Sequence, residues 1–340
     1  MREGARANAG GLFSRETYSI LQLHTVSYMN RGGVSVPGHG VSAAGPVSVV
    51  GPGAVGLALA GRLALRGHPV TLCGRPGSAP VRCIEQTGDG GTRTARVHWQ
   101  DDPARARPAA WVLVTTKLHQ GDAARAWLKR LVGGGTVVVV AQNGVEHREQ
   151  AAPWAPPGQV VPALVHFNAE RLVGNRVSVR GEGAGLVIGD DEPARRALPL
   201  LAGTGLGVDP VADFTTAAWR KLMVNAVANP VTALTSRRVE VFADPAVRAV
   251  AATMLTEVAE VGRAEGARLP GNATGEALAW IDARPPGAGS SMLADRLAGR
   301  PMEHDGLLGA VVRRADARGI AVPMCRTVLA LVAALDAARP

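Results

Sequence analysis

Lysine is scarce in this chain. Of 37 basic residues only Lys117, Lys129 and Lys221 carry an ammonium, the rest being arginine. Arginine holds its proton at any physiological pH and lysine can release it, so a position that kept lysine is a candidate for proton chemistry. Cysteine is equally sparse. Cys73, Cys83 and Cys325 form no CxxC pair and stand at no metal-ligand spacing from histidine. That argues against a structural metal or a disulfide framework and predicts a reduced, cytoplasmic protein with no metal. Aromatics make up 4% of residues, and the arginines are scattered along the whole length. The net charge of +9 therefore lacks the clustered footprint and stacking residues of a nucleic-acid binder. A diffuse positive field suits an anionic substrate or a phosphorylated cofactor instead. Long apolar runs are missing too: nothing approaches the roughly 18 residues that suggest a membrane span, so no membrane association is expected.

With 340 residues, 46% of them hydrophobic, the chain has room for two domains with separate cores. Residues 1–45 stand apart, rich in Gly, Ser and Arg and without sustained periodicity. They hold neither the apolar core of a secretion signal nor a twin arginine. The expectation is a disordered extension dispensable for activity, with Met29 an internal candidate start.

At 47–50 the β-branched run VSVV leads into GPGAVG at 51–56 and the helical pattern AVGLALAGRLALRG at 54–67. In this strand, turn and helix, Gly51 permits a tight turn, Gly53 lets backbone approach a pyrophosphate, and Gly56 lets the helix pack on the strand. Gly51, Pro52, Gly53, Ala54, Val55 and Gly56 form the predicted phosphate cradle, at a helix end whose N–H groups lack partners. The second strand, 70–73, runs into Gly74-Arg75-Pro76, and no acid occurs between Gly51 and Glu85. An NAD site usually places an acid in this interval for the ribose hydroxyls; Arg75 would pair with a 2′-phosphate, so NADPH is the expected cofactor. The alternative is that Arg75 is one more surface arginine.

Two further strands are predicted over 111–117 and 136–144, ending at Lys117 and at Asn143-Gly144. Polar residues at the carboxyl ends of parallel strands lie at the ligand crevice, which places Lys117 and Asn143 beside the cofactor. Lys129 falls near the end of a helix predicted over 119–131, where a cation favourably meets the helix dipole. Strands at 159–167, 176–180 and 186–189 and a helix at 194–203 complete a cofactor domain over 46–211. From 212 to 340 strand signals stop. Helices are predicted at 214–234, 245–266, within 272–298, at 304–318 and at 324–338.

The first of these helices carries Lys221, Asn225 and Asn229 at i, i+4 and i+8. Each step advances roughly 40°, so the three share a face. Asparagine is a poor helix former. Either the face binds a polar substrate, with the ammonium protonating a developing alkoxide, or it is a stripe turned to water. Pro230 removes a backbone hydrogen bond and favours a kink.

Taken in order, GPGAVG at 51–56, Lys117 after the Thr115-Thr116 pair, QNG at 142–144, KLMVNAVANPVTAL at 221–234 and SSMLADRLAGRPMEHDGLLG at 290–309 resemble the ketopantoate reductase (2-dehydropantoate 2-reductase) family. The resemblance spans about 46 to 335. It implies an α/β protein: an N-terminal Rossmann-type doubly wound domain followed by an all-helical C-terminal domain. It further implies that Lys221 is catalytic, that Asn225 and Asn229 bind substrate, and that Ser291 holds the substrate carboxylate. Glu303 resembles a carboxylate that contacts the cofactor near the catalytic lysine, Ala169 a backbone cofactor contact, and Lys117 and Asn143 cofactor-side and active-site contacts. On residue type alone, Ser291 would equally cap a helix and Glu303 lie on the surface. Two departures stand out: Val239 occupies the place of a further substrate-side asparagine, and RVSVRG at 176–181 lacks the family's His-Thr-Gly character. The implied activity is NADPH-dependent reduction of 2-dehydropantoate to pantoate in pantothenate biosynthesis, by a possible homodimer. The alternatives are a paralogous reductase of another 2-oxo acid and a non-catalytic protein that senses NADP(H).

Overall fold

The computed structural model describes residues 45–339 except 89, 182–184 and 286. The predicted extension over 1–45 lies, but for its last residue, outside that range.

The β-branched runs become the strands β1 (Val47–Val50), β2 (Val70–Cys73), β6 (Trp111–Val114) and β7 (Val137–Val140). With β5 (His98–Gln100), β8 (Val160–Val165), β11 (Leu186–Gly189) and β12 (Val208–Val211) they build an eight-stranded sheet ordered β12-β11-β8-β7-β6-β1-β2-β5. Every pairing is parallel except β8 with β11. Both faces are covered, which explains why β7 is an unbroken valine run. Val137 and Val139 join one core cluster, and Val138 and Val140 the other. The strand order reverses beside β1, between β2 and β6, and an open parallel sheet binds ligands outside the carboxyl ends of its strands at such a switch point.

A second sheet, ordered β4-β3-β10-β9, lies outside the sequence expectation. It joins β3 (Cys83–Gly88), β4 (Gly91–Arg96), β9 (Asn168–Arg171) and β10 (Arg176–Arg180), and packs on α1 (Ala54–Leu65). The run at 176–180, read as a continuation of the main series, belongs here. The predicted strands at 111–117 and 136–144 stop at Val114 and Val140, so Lys117 and Asn143 sit on loops beyond the strand ends. Lys129 lies in the last turn of α2 (Gly121–Leu131), as expected.

After Val211 the described residues form helices. They are α5 (Phe214–Thr235), α6 (Pro245–Ala264), α7 (Ala273–Asp282), α8 (Ser291–Leu297), a π turn (Asp305–Gly309), α9 (Ala310–Arg318) and α10 (Pro323–Ala337). The shorter α3 (His147–Ala151) and α4 (Glu192–Ala202) precede them. Asp213 starts α5 by accepting the Thr216 N–H at 3.0 Å, and Asp244 caps α6 from Ala246 and Val247. Each cap contributes about 1 kcal/mol. The helix α5 runs through Pro230 without a break. Arg313 pairs with Glu146 at 2.8 Å and Arg314 with Glu149 at 2.5 Å, tying α9 to α3 and the residue before it. These exposed pairs are worth about 0–1 kcal/mol each. Among the described residues no helix is long and apolar enough to cross a membrane.

Candidate active site

The glycine turn answers to three different constraints. Gly51 has φ +105°, and a Cβ there would lie 2.8 Å from the Thr116 amide nitrogen. At Gly56 a Cβ would stand 2.0 Å from the Gly51 carbonyl oxygen and 2.6 Å from Thr115 Oγ1. Thr115 Oγ1 itself donates to the carbonyls of Val50 and Gly51, fastening β6 to the turn. A Cβ at Gly53 would meet nothing within 4 Å. Gly53 is the N-cap of α1 and offers no side-chain cap, so a helix N-terminus opens onto unfilled space. That is the cradle a pyrophosphate requires. Arg75 is exposed past the end of β2 and enters no ion pair among the described residues, which fits a phosphate on the ribose.

The loops after β6 and β7 are bound together. Gln142 Nε2 donates to Thr116 O at 2.7 Å, holding Asn143 and Gly144 beside Lys117. The Lys117 ammonium reaches into the helical half, to Asp295 at 2.9 Å and Glu303 at 3.1 Å, while Glu303 also accepts the Leu118 N–H at 2.9 Å. Both acids are buried, at 4% and 6% exposure. Burial pulls the Lys117 pKa down, but the Glu303 and Asp295 carboxylates outweigh it and hold the pKa above the ordinary value. Lys117 is a fixed charge.

Lys221 is different. It extends from α5 to the end of β8, where Nζ donates to the Val165 carbonyl at 2.6 Å. Burial lowers its pKa to about 8, against an upward pull from Glu303. The two histidines that feel its charge are neutral at pH 7. Burial takes His166 to about 4, helped by Lys221, and takes His147 to about 4 even though its ring meets the Gln142 carbonyl. One lysine is thus locked in charge and the other poised to release a proton.

Asn229 settles how the polar face of α5 is used. It is 3% exposed, and its Oδ1 accepts from Ser291 Oγ and from the Met292 N–H, each at 3.2 Å. Asn225 is half-buried. The face is not a stripe turned to water. Capping of α8 falls to Ser290, which accepts the Leu293 N–H at 3.0 Å, so Ser291 is not the cap. Glu303 is no surface acid.

Lys221, Glu303 and Lys117 are therefore linked by contact or field, Asn229 and Ser291 by a hydrogen bond, and α5 carries both Lys221 and Asn229. Arg75 lies apart, past β2, and Ala169 sits on β9 in the second sheet. Asp295 was not anticipated. Its spacing was the available signal, since it follows Ser291 by four residues on the same helical face. Among the described residues no group of three or more His, Cys, Asp or Glu is arranged to hold a metal.

A glycine turn at the switch point of a parallel sheet is the arrangement of dinucleotide-dependent oxidoreductases, and here a titratable ammonium from a helical region is bound to a strand end of that sheet. Comparison with known proteins narrows the class. Residues 47–192 match the model described as ketopantoate reductase PanE/ApbA, and residues 213–336 the model described as its C terminal part. The chain belongs to the ketopantoate reductase family. It is 41% identical over 288 residues to a 2-dehydropantoate 2-reductase of Mycobacterium tuberculosis, covering 85% of this chain and 97% of that protein. It also resembles the solved PanE/ApbA family ketopantoate reductase from Ralstonia eutropha JMP134, with 29% identity, a TM-score of 0.77, and 86% and 99% of the two chains covered. A dimeric ketopantoate reductase from Staphylococcus aureus matches at 25% identity and TM-score 0.75, over 87% of this chain and 100% of that one.

Proposed function

We propose that this protein reduces 2-dehydropantoate to pantoate with NADPH, Lys221 donating the proton. The observation that carries the reading is the Lys221 ammonium, lowered to about 8 by burial and anchored at the end of β8. A general acid works best when its pKa lies near the operating pH. Residues 46–211 would form the cofactor domain and 212–340 the substrate and catalytic domain. Gly51 to Gly56 would hold the pyrophosphate, Arg75 the 2′-phosphate, and Lys117, Asn143, Ala169 and Glu303 further parts of the cofactor. Bound NADPH supplies a hydride to a ketone carbon. Lys221 would polarise the ketone oxygen and protonate it as charge develops, and the fixed Lys117–Asp295–Glu303 network would keep neighbouring charges from moving during that step. Asn143, Asn225, Asn229 and Ser291 would orient the substrate, Ser291 at the carboxylate, which lowers the entropic cost of the encounter.

The chain shares 41% identity with a protein of this activity, which supports the substrate. Val239 stands where some family members carry another asparagine and favours, as a second reading, a different branched 2-oxo acid. The dimeric relative supports a homodimer, and three unpaired cysteines suit a cytoplasmic location. Loss of NADPH absorbance with 2-dehydropantoate and a panel of 2-oxo acids tests the proposal. Turnover of 2-dehydropantoate is expected to lead the panel, and no turnover of any would refute an enzymatic role. Arg75→Ala is expected to weaken NADPH by about tenfold, the worth of a charge-assisted contact, and to leave NADH nearly unchanged. Equal losses for the two cofactors would remove Arg75 from the 2′-phosphate.

A further inference from the structure

Arg171 lies outside the glycine motif but touches it. Side chains alternate along β9, so Asn168 and Glu170 share one face, and Ala169 and Arg171 the other. Glu170 meets Arg180 at 3.4 Å on the exposed side. Arg171 stands opposite Val177, which is wholly buried, but is itself exposed at the end of the strand. Its guanidinium crosses to the first sheet's turn: Nη1 donates to the Pro52 carbonyl at 2.7 Å and Nη2 to the Gly174 carbonyl at 3.2 Å. Those bonds use two of the five N–H donors an arginine carries.

Among the described residues no carboxylate balances this cation. Arg171 enters no ion pair among the described residues, and the first turn of α1 contains no acid. A helix N-terminus already presents partial positive charge, so a guanidinium held beside it is unfavourable unless an anion joins them. At Gly53, next to the Pro52 carbonyl that Arg171 grips, the direction a Cβ would take is open. Resting on the reading of residues 51–56 as a dinucleotide cradle, we propose that Arg171 binds the pyrophosphate of the cofactor and closes the cradle from the second sheet. Its role is distinct from that of Arg75, which would read the 2′-phosphate. Arg171 meets the part that NADPH and NADH have in common.

Calorimetric titration of the full chain with NADPH, NADH and adenosine 2′-monophosphate tests this in the native protein, Arg171→Gln and Arg171→Lys. The glutamine variant is expected to raise the Kd of both dinucleotides by about tenfold, as for loss of one charge-assisted contact. Lysine is expected to recover part of that loss. Adenosine 2′-monophosphate, which lacks the pyrophosphate, is expected to bind all three proteins alike. Unchanged dinucleotide affinity in Arg171→Gln, or an equal loss for adenosine 2′-monophosphate, would overturn the assignment. A native protein that binds neither dinucleotide would instead overturn the reading of the glycine motif beneath it.

Discussion

Lys221→Ala is expected to lower kcat by about a hundred- to ten-thousandfold, the usual worth of a positioned general acid. NADPH affinity should change little, because the lysine comes from α5 and is bound to the end of β8, away from the glycine turn. A loss confined to kcat marks an interaction made in the transition state rather than in the ground state. The informative companion is Lys221→Arg. Arginine keeps the positive charge and does not release its proton, so it separates proton donation from electrostatic stabilisation. Turnover by the arginine variant as poor as that of the alanine variant is the expected result; near-native turnover would make Lys221 only a fixed charge.

Gly56→Ala is expected to damage both stability and cofactor binding. Its Cβ would stand 2.0 Å from the Gly51 carbonyl oxygen, and that neighbour is backbone, which cannot swing aside as a flexible side chain would. Overpacking of this kind costs about 1–3 kcal/mol, and a displacement of about 1 Å at a binding turn costs about a hundredfold in function. Thermal melting and NADPH titration together check it. Gly53→Ala is the control: its Cβ would meet nothing within 4 Å, and the φ of −78° suits alanine. Its melting temperature should match the native protein while NADPH binding weakens, because the added methyl occupies the place of the ligand. Equal melting losses in the two variants would show that Gly53 and Gly56 do not serve separate purposes.

Much of this was legible in the sequence because the deciding residues are constrained locally. Gly51 and Gly56 are fixed by steric contacts within one turn and with Thr115 and Thr116 just past β6, and the valine runs by a sheet covered on both faces. Lysine scarcity singles out Lys221 and helical period puts Asn229 on its face, while the choice between a binding face and a stripe turned to water needs the family resemblance. The second sheet was not found, since β4 reads GTRTAR and exposes five of its six residues, leaving no apolar alternation to detect. The Asp295 contact to Lys117 joins residues 178 positions apart, so the spacing that puts Asp295 on the face of Ser291 says nothing of its partner. The division between Ser290, which caps α8, and Ser291, which meets Asn229, depends on where the helix starts to within one residue. Helix ends are uncertain at that scale from sequence. Arg171 escaped for a related reason: its partner is the backbone of Pro52, and backbone carbonyls leave no trace in residue identity.

The scarcity of lysine therefore has a chemical counterpart. Glu303 and Asp295 hold Lys117 in its charged form, and burial brings Lys221 within reach of neutral pH. If Lys221 is the proton donor, the reaction needs its protonated form, which is lost as pH rises through its pKa. The pH dependence of kcat/KM for 2-dehydropantoate with NADPH reads this directly, since kcat/KM reports essential groups before substrate binds. The profile is expected to fall above a limb near 8, the value to which burial lowers Lys221, and that limb should be absent from the residual activity of Lys221→Arg. A kcat/KM that stays level between about pH 7 and 10, or a limb that survives in Lys221→Arg, would contradict a proton supplied by Lys221.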